Sequence, residues 1–389
     1  MSDIRIKKLF TFSVIFLMFT GAMCTATHGT MLTNYIQHYE LESSAQGLMS
    51  FMQSAGNLMA LLLIGLVVGR IQKTTIVLLY AIITPLVYLM LSTRPAFPVF
   101  LTGYLIYGVA FGFQDSLASS LMVDLNQERS DLYMNALHGV YGLGGIIAPI
   151  FYSLMMNNGL PWNRVLAVVA CICSVSCIVY MICRMNLNKH FVGNAVPTRR
   201  ITIADIKHFV TENRKVLMLC CAFLFGAHQI GISSWATRYV NEFLGAKQYG
   251  ALALSMFWVG TAASRLLCSF LPISRAKKIC LGFFLTTAFI AIGIISKSGF
   301  IMMICCLLAG FAEGPILPLM LDMSCTWERE NTSLGSTMVL LSLYIGFLAM
   351  PLLIGKMSAV FNMTVGFWMP VIASLIGAVL SIKFIKYDK

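Results

Sequence analysis

Runs of about twenty apolar residues recur from one end of this chain to the other, and little else constrains it so strongly. Wound as a helix, such a run matches a hydrocarbon layer roughly 30 Å thick. The runs fall near 9–34, 45–68, 75–92, 97–123, 132–156, 163–184, 215–240, 248–271, 277–296, 299–322, 333–355 and 365–385. In lipid every backbone N–H and C=O must be satisfied within the protein, which a helix does alone. The chain therefore reads as an all-α integral membrane protein with twelve transmembrane helices. Composition agrees, since only 11% of the residues are charged, whereas a soluble domain carries about a quarter. Arg5, Lys7 and Lys8 followed by an apolar run imitate a signal peptide, but the run is too long and lacks a small-x-small cleavage site. It reads as a retained first span.

The chain holds 27 Lys and Arg against 15 Asp and Glu, an excess that could suit nucleic acid. Its placement says otherwise. With the termini and even-numbered loops on one side, that side carries 20 of the Lys and Arg, the odd-numbered loops carry 6, and Arg265 lies inside a span. Basic residues collect on the cytoplasmic side, so a multi-pass protein of the cell (plasma) membrane with both termini cytoplasmic is expected, and no nucleic-acid partner. The twelve cysteines sit in apolar segments without metal-site spacing and read as packing. There is no G-x-x-x-x-G-K-[ST] loop for ATP and no catalytic constellation, so an enzyme is not expected.

The spans divide six and six around a polar connector at 186–213, giving halves at 1–185 and 214–389. Part of the connector, ITIADIKHFV, has helical spacing and is expected to lie on the membrane surface. LMVDLNQERSD (121–131) after the fourth span is echoed by LMLDMSCTWEREN (319–331) after the tenth, and Pro149 and Pro351 fall in the spans that follow. Two pseudo-symmetric six-helix bundles repeated in one orientation are the design of major facilitator transporters.

Five stretches carry a narrower likeness: FGFQDSLASSLMVDL (111–125), NALHGVYGLGGIIAPI (135–150), GAHQIGISSWATRYV (226–240), FWVGTAASRLL (257–267) and GFAEGPILPLML (310–321). They resemble spans four, five, seven, eight and ten of the fucose/galactose–proton symporters and their sodium-dependent glucose-transporter-like relatives, within the major facilitator superfamily. The resemblance implies alternating access about a midplane site and symport of a small polar organic solute, with a sugar as first choice. Proton is the implied coupling ion and sodium its alternative, with no cofactor and a monomer in the bilayer. Two departures are visible. Gly65-Leu-Val-Val-Gly69-Arg70-Ile-Gln-Lys73 lacks the Asp of the superfamily's Gly-x-x-x-Asp-Arg-x-Gly-Arg-Arg loop, and the acidic residue of the symporters' first span is replaced by His28 or Gly29. They leave two alternatives open: an exporter of drugs or metabolites, and a non-transporting receptor of the same fold.

A charge at mid-membrane depth costs at least ~2.5 kcal/mol, so each is a functional candidate. Asp115 lies nine residues before Asp124, roughly 14 Å into the fourth span, and by the resemblance it matches the symporters' proton-carrying carboxylate. Glu313, among Gly310, Gly314, Pro315 and Pro318, reads as its counterpart in the second half, and His28 as a third proton carrier. Gln114, Ser119, Asn135, His138, His228, Gln229 and Trp235 form the expected solute site, where aromatic faces stack on sugar C–H surfaces and amides read hydroxyls. Arg265 with Asp322, and Arg70 with Asp124, are the expected gating pairs. Each residue also has a plain structural reading: a satisfied core histidine, an interfacial Trp235, a snorkelling Arg265.

Overall fold

A computed structural model describes residues 3–41, 48–190 and 200–387. They form α1 (Asp3–Thr30), α2 (Leu32–Tyr39), α3 (Leu48–Val67), α4 (Lys73–Ser92), α5 (Phe97–Leu125), α6 (Ser130–Asn157), α7 (Trp162–His190), α8 (Ile203–Phe209), α9 (Asn213–Arg238), α10 (Lys247–Leu267), α11 (Arg275–Ser296), α12 (Gly299–Glu313), α13 (Ile316–Trp327), α14 (Thr332–Val360) and α15 (Met363–Ser381). Among the described residues the only β pairing is an isolated bridge between Val68 and Ile71. Among the described residues eleven helices are long and apolar enough to cross a membrane, and Phe51–Val67 is a shorter apolar helix. The chain is a multi-pass membrane protein. Its exposed residues include Leu62, Leu86, Ile150, Val175, Phe270 and Ile295, which suit contact with lipid tails.

Two spans are interrupted. The first bends at Met31 and continues as α2, while the tenth breaks at Gly314 and Pro315 into α12 and α13. Prolines 315 and 318 remove two N–H donors in succession there. By contrast, Pro85, Pro149, Pro351 and Pro370 sit inside continuous helices. The expected surface helix of the connector is the seven-residue α8, and residues 191–199, including Arg199, lie outside the described ones.

The chain forms two compact units. The first comprises Met1–Glu128, Val140–Thr202 and Arg329–Ser333, and the second Arg129–Gly139, Ile203–Glu328 and Leu334–Lys389. Within the first, α3 and α5 meet through their main chains: a Cβ on Gly108 would collide with Gln53 O. Within the second, α10 and α12 do the same, and a Cβ on Gly310 would collide with Phe257 O. Small residues allow such approach where lipid gives no hydrophobic drive for association.

Helix boundaries set the register of the repeat. Lys73 and Arg275 open α4 and α11, Phe97 and Gly299 open α5 and α12, Leu125 and Trp327 close α5 and α13, and Ser130 and Thr332 open α6 and α14. On this register Glu313 stands against Phe111 and Asp115 against Leu317. The two carboxylates are thus one helical turn apart rather than equivalent. The LMVD and LMLD stretches match in side chains one turn out of step with the helices that contain them, which corrects the expected equivalence.

Candidate functional site

In the second unit, α9, α10 and α12 converge on Glu313, the last residue of α12, whose side chain is fully buried. His228 Nε2 lies 2.8 Å from its Oε2, and Gln229 Nε2 donates to Oε1 at 2.9 Å. Successive helical residues point about 100° apart, so the carboxylate sits over the edge between these two. Thr261 Oγ1 is 3.4 Å from Oε1, with Phe257 O nearer at 2.9 Å as the acceptor for its proton. His228 is also fully buried, edge-on to the rings of Phe225 and Phe283, and its Nδ1 has no hydrogen-bond partner.

A buried carboxylate is costly unless protonated or paired, and His228 is the group at ion-pair distance. One proton between them makes the pair neutral whether it sits on imidazole or carboxyl. Its loss leaves a net charge of −1 in a fully enclosed site.

The first unit is built differently. Asp115 and Ser119 on α5 are buried. Gln114 turns toward α1 and donates to Leu17 O at 3.1 Å, beside a small cavity lined also by Thr20, Tyr107, Cys173 and Ser176. Three tyrosines donate to the same helix: Tyr107 to Gly21 O at 2.8 Å, Tyr152 to Met23 O at 2.9 Å and Tyr88 to Cys24 O at 2.7 Å. The side chain of His28 lies outside the described ones.

Asn135 donates to Asp131 O in its own helix at 2.8 Å. His138 is buried on α6, while Trp235 is half-buried beneath the Arg238 guanidinium, 5.5 Å from its ring centre. Glu313, His228 and Gln229 do come together. Thr261, which sequence reasoning missed, joins them; its signal was its place beside Gly260 in a span already singled out.

The gating pairs need correction. Asp124 pairs with Lys73 at 2.8 Å and accepts from Thr332 at 2.8 Å, while Arg70 is exposed. The chain turns at Gly69, with φ of +87°, and Arg70, and α4 opens three residues later at Lys73. Asp322 pairs with Arg275 at 2.6 Å. Arg265 instead donates to main-chain carbonyls, Nε to Gly314 O at 2.9 Å and Nη1 to His138 O at 3.3 Å. Asp322 lies two helical turns beyond Gly314, roughly 12 Å along the axis, so one guanidinium does not serve both.

Outside the spans, Glu212 takes hydrogen bonds from Lys215 at 2.6 Å and Arg214 at 3.0 Å, and Lys215 also bonds Glu328. Partial burial pushes the Glu212 carboxyl up, but the bonds and charges of Lys215 and Arg214 outweigh it and hold the group below its ordinary value.

The profile of the Major Facilitator Superfamily matches residues 12–296. The chain belongs to that superfamily. Its fold is similar to the crystal structure of the transporter FucP in the outward conformation, with a TM-score of 0.77 at 13% identity over 96% of this chain and 98% of that one. A second structure, the E. coli fucose:proton symporter FucP, gives 0.75 at 13% identity over 98% and 99%. The proton:xylose symporter XylE, bound to 6-bromo-6-deoxy-D-glucose, gives 0.69 at 14% identity over 98% and 96%. At these identities the likeness establishes the major facilitator fold. Among curated proteins, the TsgA homolog of Buchnera aphidicola subsp. Baizongia pistaciae (strain Bp) is 22% identical over 255 residues, 65% of this chain. The match spans 62% of that relative's length.

Proposed function

We propose that this superfamily member is a proton-coupled symporter, placed in the cell membrane with both termini cytoplasmic, for a small polar solute of the sugar class. The observation that supports it best is the buried Glu313–His228 pair, 2.8 Å apart and fully enclosed. A site that closes around a neutral one-proton pair and opens to water on either side can carry that proton in step with alternating access. Closing without the proton would bury a net negative charge, which couples reorientation to proton binding. The sugar class is favoured because the similar structures are, by name, fucose and xylose symporters, and because an amide, a hydroxyl and a carboxylate gathered at one depth are groups that read sugar hydroxyls. Asp115, buried in the first unit, is a second proton-accepting group in this scheme.

The test is uptake of labelled hexoses, pentoses and deoxy-sugars into liposomes holding the purified protein, with and without an imposed pH gradient. Candidates are chosen beforehand by thermal stabilisation, which rises with ligand concentration over affinity. Accumulation that collapses when a protonophore dissipates the gradient is expected. Accumulation unaffected by pH, or uptake only of amphiphiles, would overturn the reading.

A further inference from the structure

The break in span ten poses a hydrogen-bond problem. A helical carbonyl takes the N–H four residues on, and for Gly314 that residue is Pro318, which has none. Inside a membrane bundle a carbonyl freed in this way must find another donor. The acceptor is nevertheless satisfied, because Arg265 Nε donates to Gly314 O at 2.9 Å. Arg265 is 5% exposed, and its guanidinium also donates to His138 O on α6, within the same unit.

Helix α10 delivers it there by close contact. A Cβ on Gly314 would collide with Ser264 Oγ and Thr261 O, so residues 261–265 of α10 lie directly against the break. Thr261 and Arg265 are four residues apart and share one face. Thr261 Oγ1 stands by the Glu313 carboxylate, and Arg265 holds the carbonyl of the next residue. One face of α10 therefore touches the end of α12 at the side chain, through Thr261, and bonds it at the main chain, through Arg265. The carboxylate can meet His228 Nε2 and Gln229 Nε2 together only while that end keeps its direction.

We propose that Arg265 stands in for the main-chain donor that span ten loses at Pro318, and that through this bond it is a positioning residue for Glu313. The second half of the proposal rests on the proton-coupled reading above; the first does not. Pro318→Ala supplies the test, because residue 318 then has an N–H of its own to offer Gly314 O. Melting temperatures would be measured for the parent protein, Arg265→Met, Pro318→Ala and the double variant. Arg265→Met should melt several degrees lower, and the double variant should recover most of that loss. If Arg265→Met alone yields no folded protein, a folded double variant supports the donor role equally, and an unfolded one overturns it. Additive changes, with no recovery, overturn the donor role whatever the protein transports.

The positioning role is read in liposomes. Arg265→Met should lose about tenfold or more in pH-driven uptake, the effect of one charge-assisted hydrogen bond, and should displace the pH midpoint of solute exchange. Arg265→Lys, which keeps a donor at the same place, and the double variant should restore both. Recovery of melting temperature without recovery of uptake and midpoint overturns the positioning half. A parent protein that ignores the pH gradient overturns the coupled reading beneath it and leaves the donor role to be judged on melting temperature.

Discussion

The two units agree where their paired charges lie and differ in the middle of their spans. Each has an aspartate on the fourth or tenth span held by the cation that opens the next-lower span, Lys73 on Asp124 and Arg275 on Asp322. Lys73 and Arg275 are matched positions of the repeat, yet Asp322 sits one turn further from the end of its span than Asp124 does. The pairing is present in both units despite the displacement. Deeper in, the first unit ties amide and phenol donors to the carbonyls of α1. The second gathers an imidazole, an amide and a hydroxyl around a carboxylate. The paired charges thus recur in both units, whereas the polar groups inside the spans do not.

The sharpest break of this contrast is at the two buried carboxylates. Glu313→Gln keeps size and hydrogen bonding but fixes neutrality, so pH-driven accumulation should fall to background while exchange of labelled for unlabelled solute survives. Asp115→Asn should lower accumulation without abolishing it. The reverse ranking would move the coupling site into the first unit.

A smaller effect separates the paired charges. Lys73→Met leaves Asp124 buried without its cation and should cost about 3–5 kcal/mol of stability. Arg275→Met should cost less, since the Arg275 side chain is 30% exposed and water can already reach that end. Equal losses in denaturant or thermal unfolding would show that burial does not distinguish the pairs. Exchanging Lys73 and Asp124 should recover part of the single-variant loss.

The phenol donors come next. Tyr88→Phe and Tyr107→Phe each remove two neutral hydrogen bonds to α1, those of Tyr88 with Cys24 O and Thr27 Oγ1 and those of Tyr107 with Gly21 O and Thr25 Oγ1, and should cost about 1–3 kcal/mol, near-additively if the two tyrosines act independently. A coupling well above that in the double variant would mean that the donors hold α1 as a set.

The slightest expected effect is at Glu212. Its folded-state titration is lowered, so its stabilisation is present above the unfolded carboxylate value of 4.5 and lost as pH falls through the lower folded value. Glu212→Gln should therefore lower stability slightly at neutral pH and flatten the profile in that acid window, where parent and variant converge. An unaltered acid limb would assign the loss to other carboxylates.

The span count, the twofold repeat and the buried polar residues were legible because each is written in one dimension, as run length, period or a charged letter in an apolar stretch. Asp124 and Asp322 could be picked out in that way. Their cations could not, since Arg70 and Lys73 are three residues apart and only the fold shows that Lys73 is the one that reaches Asp124. Likewise Glu313, His228 and Gln229 were all singled out, but nothing in helical spacing says that a residue of the tenth span meets two of the seventh. Thr261 carries no charge and looks like any span hydroxyl until its neighbour is known. The likeness of LMVD to LMLD misled by one turn, because short matching strings fix identity and leave helix phase free.

The glycine contacts between α3 and α5, and between α10 and α12, bear on compliance. Helices that touch through side chains can slide, because rotamers yield, whereas main chain against main chain has nothing soft to deform. Each pair is in effect a stiff plank two helices wide. Such a pair resists independent movement of its two members, so a unit under load gives more readily elsewhere. In the second unit the nearest such place is α13, which lies past the end of the plank and is joined to it at Gly314 and Pro315.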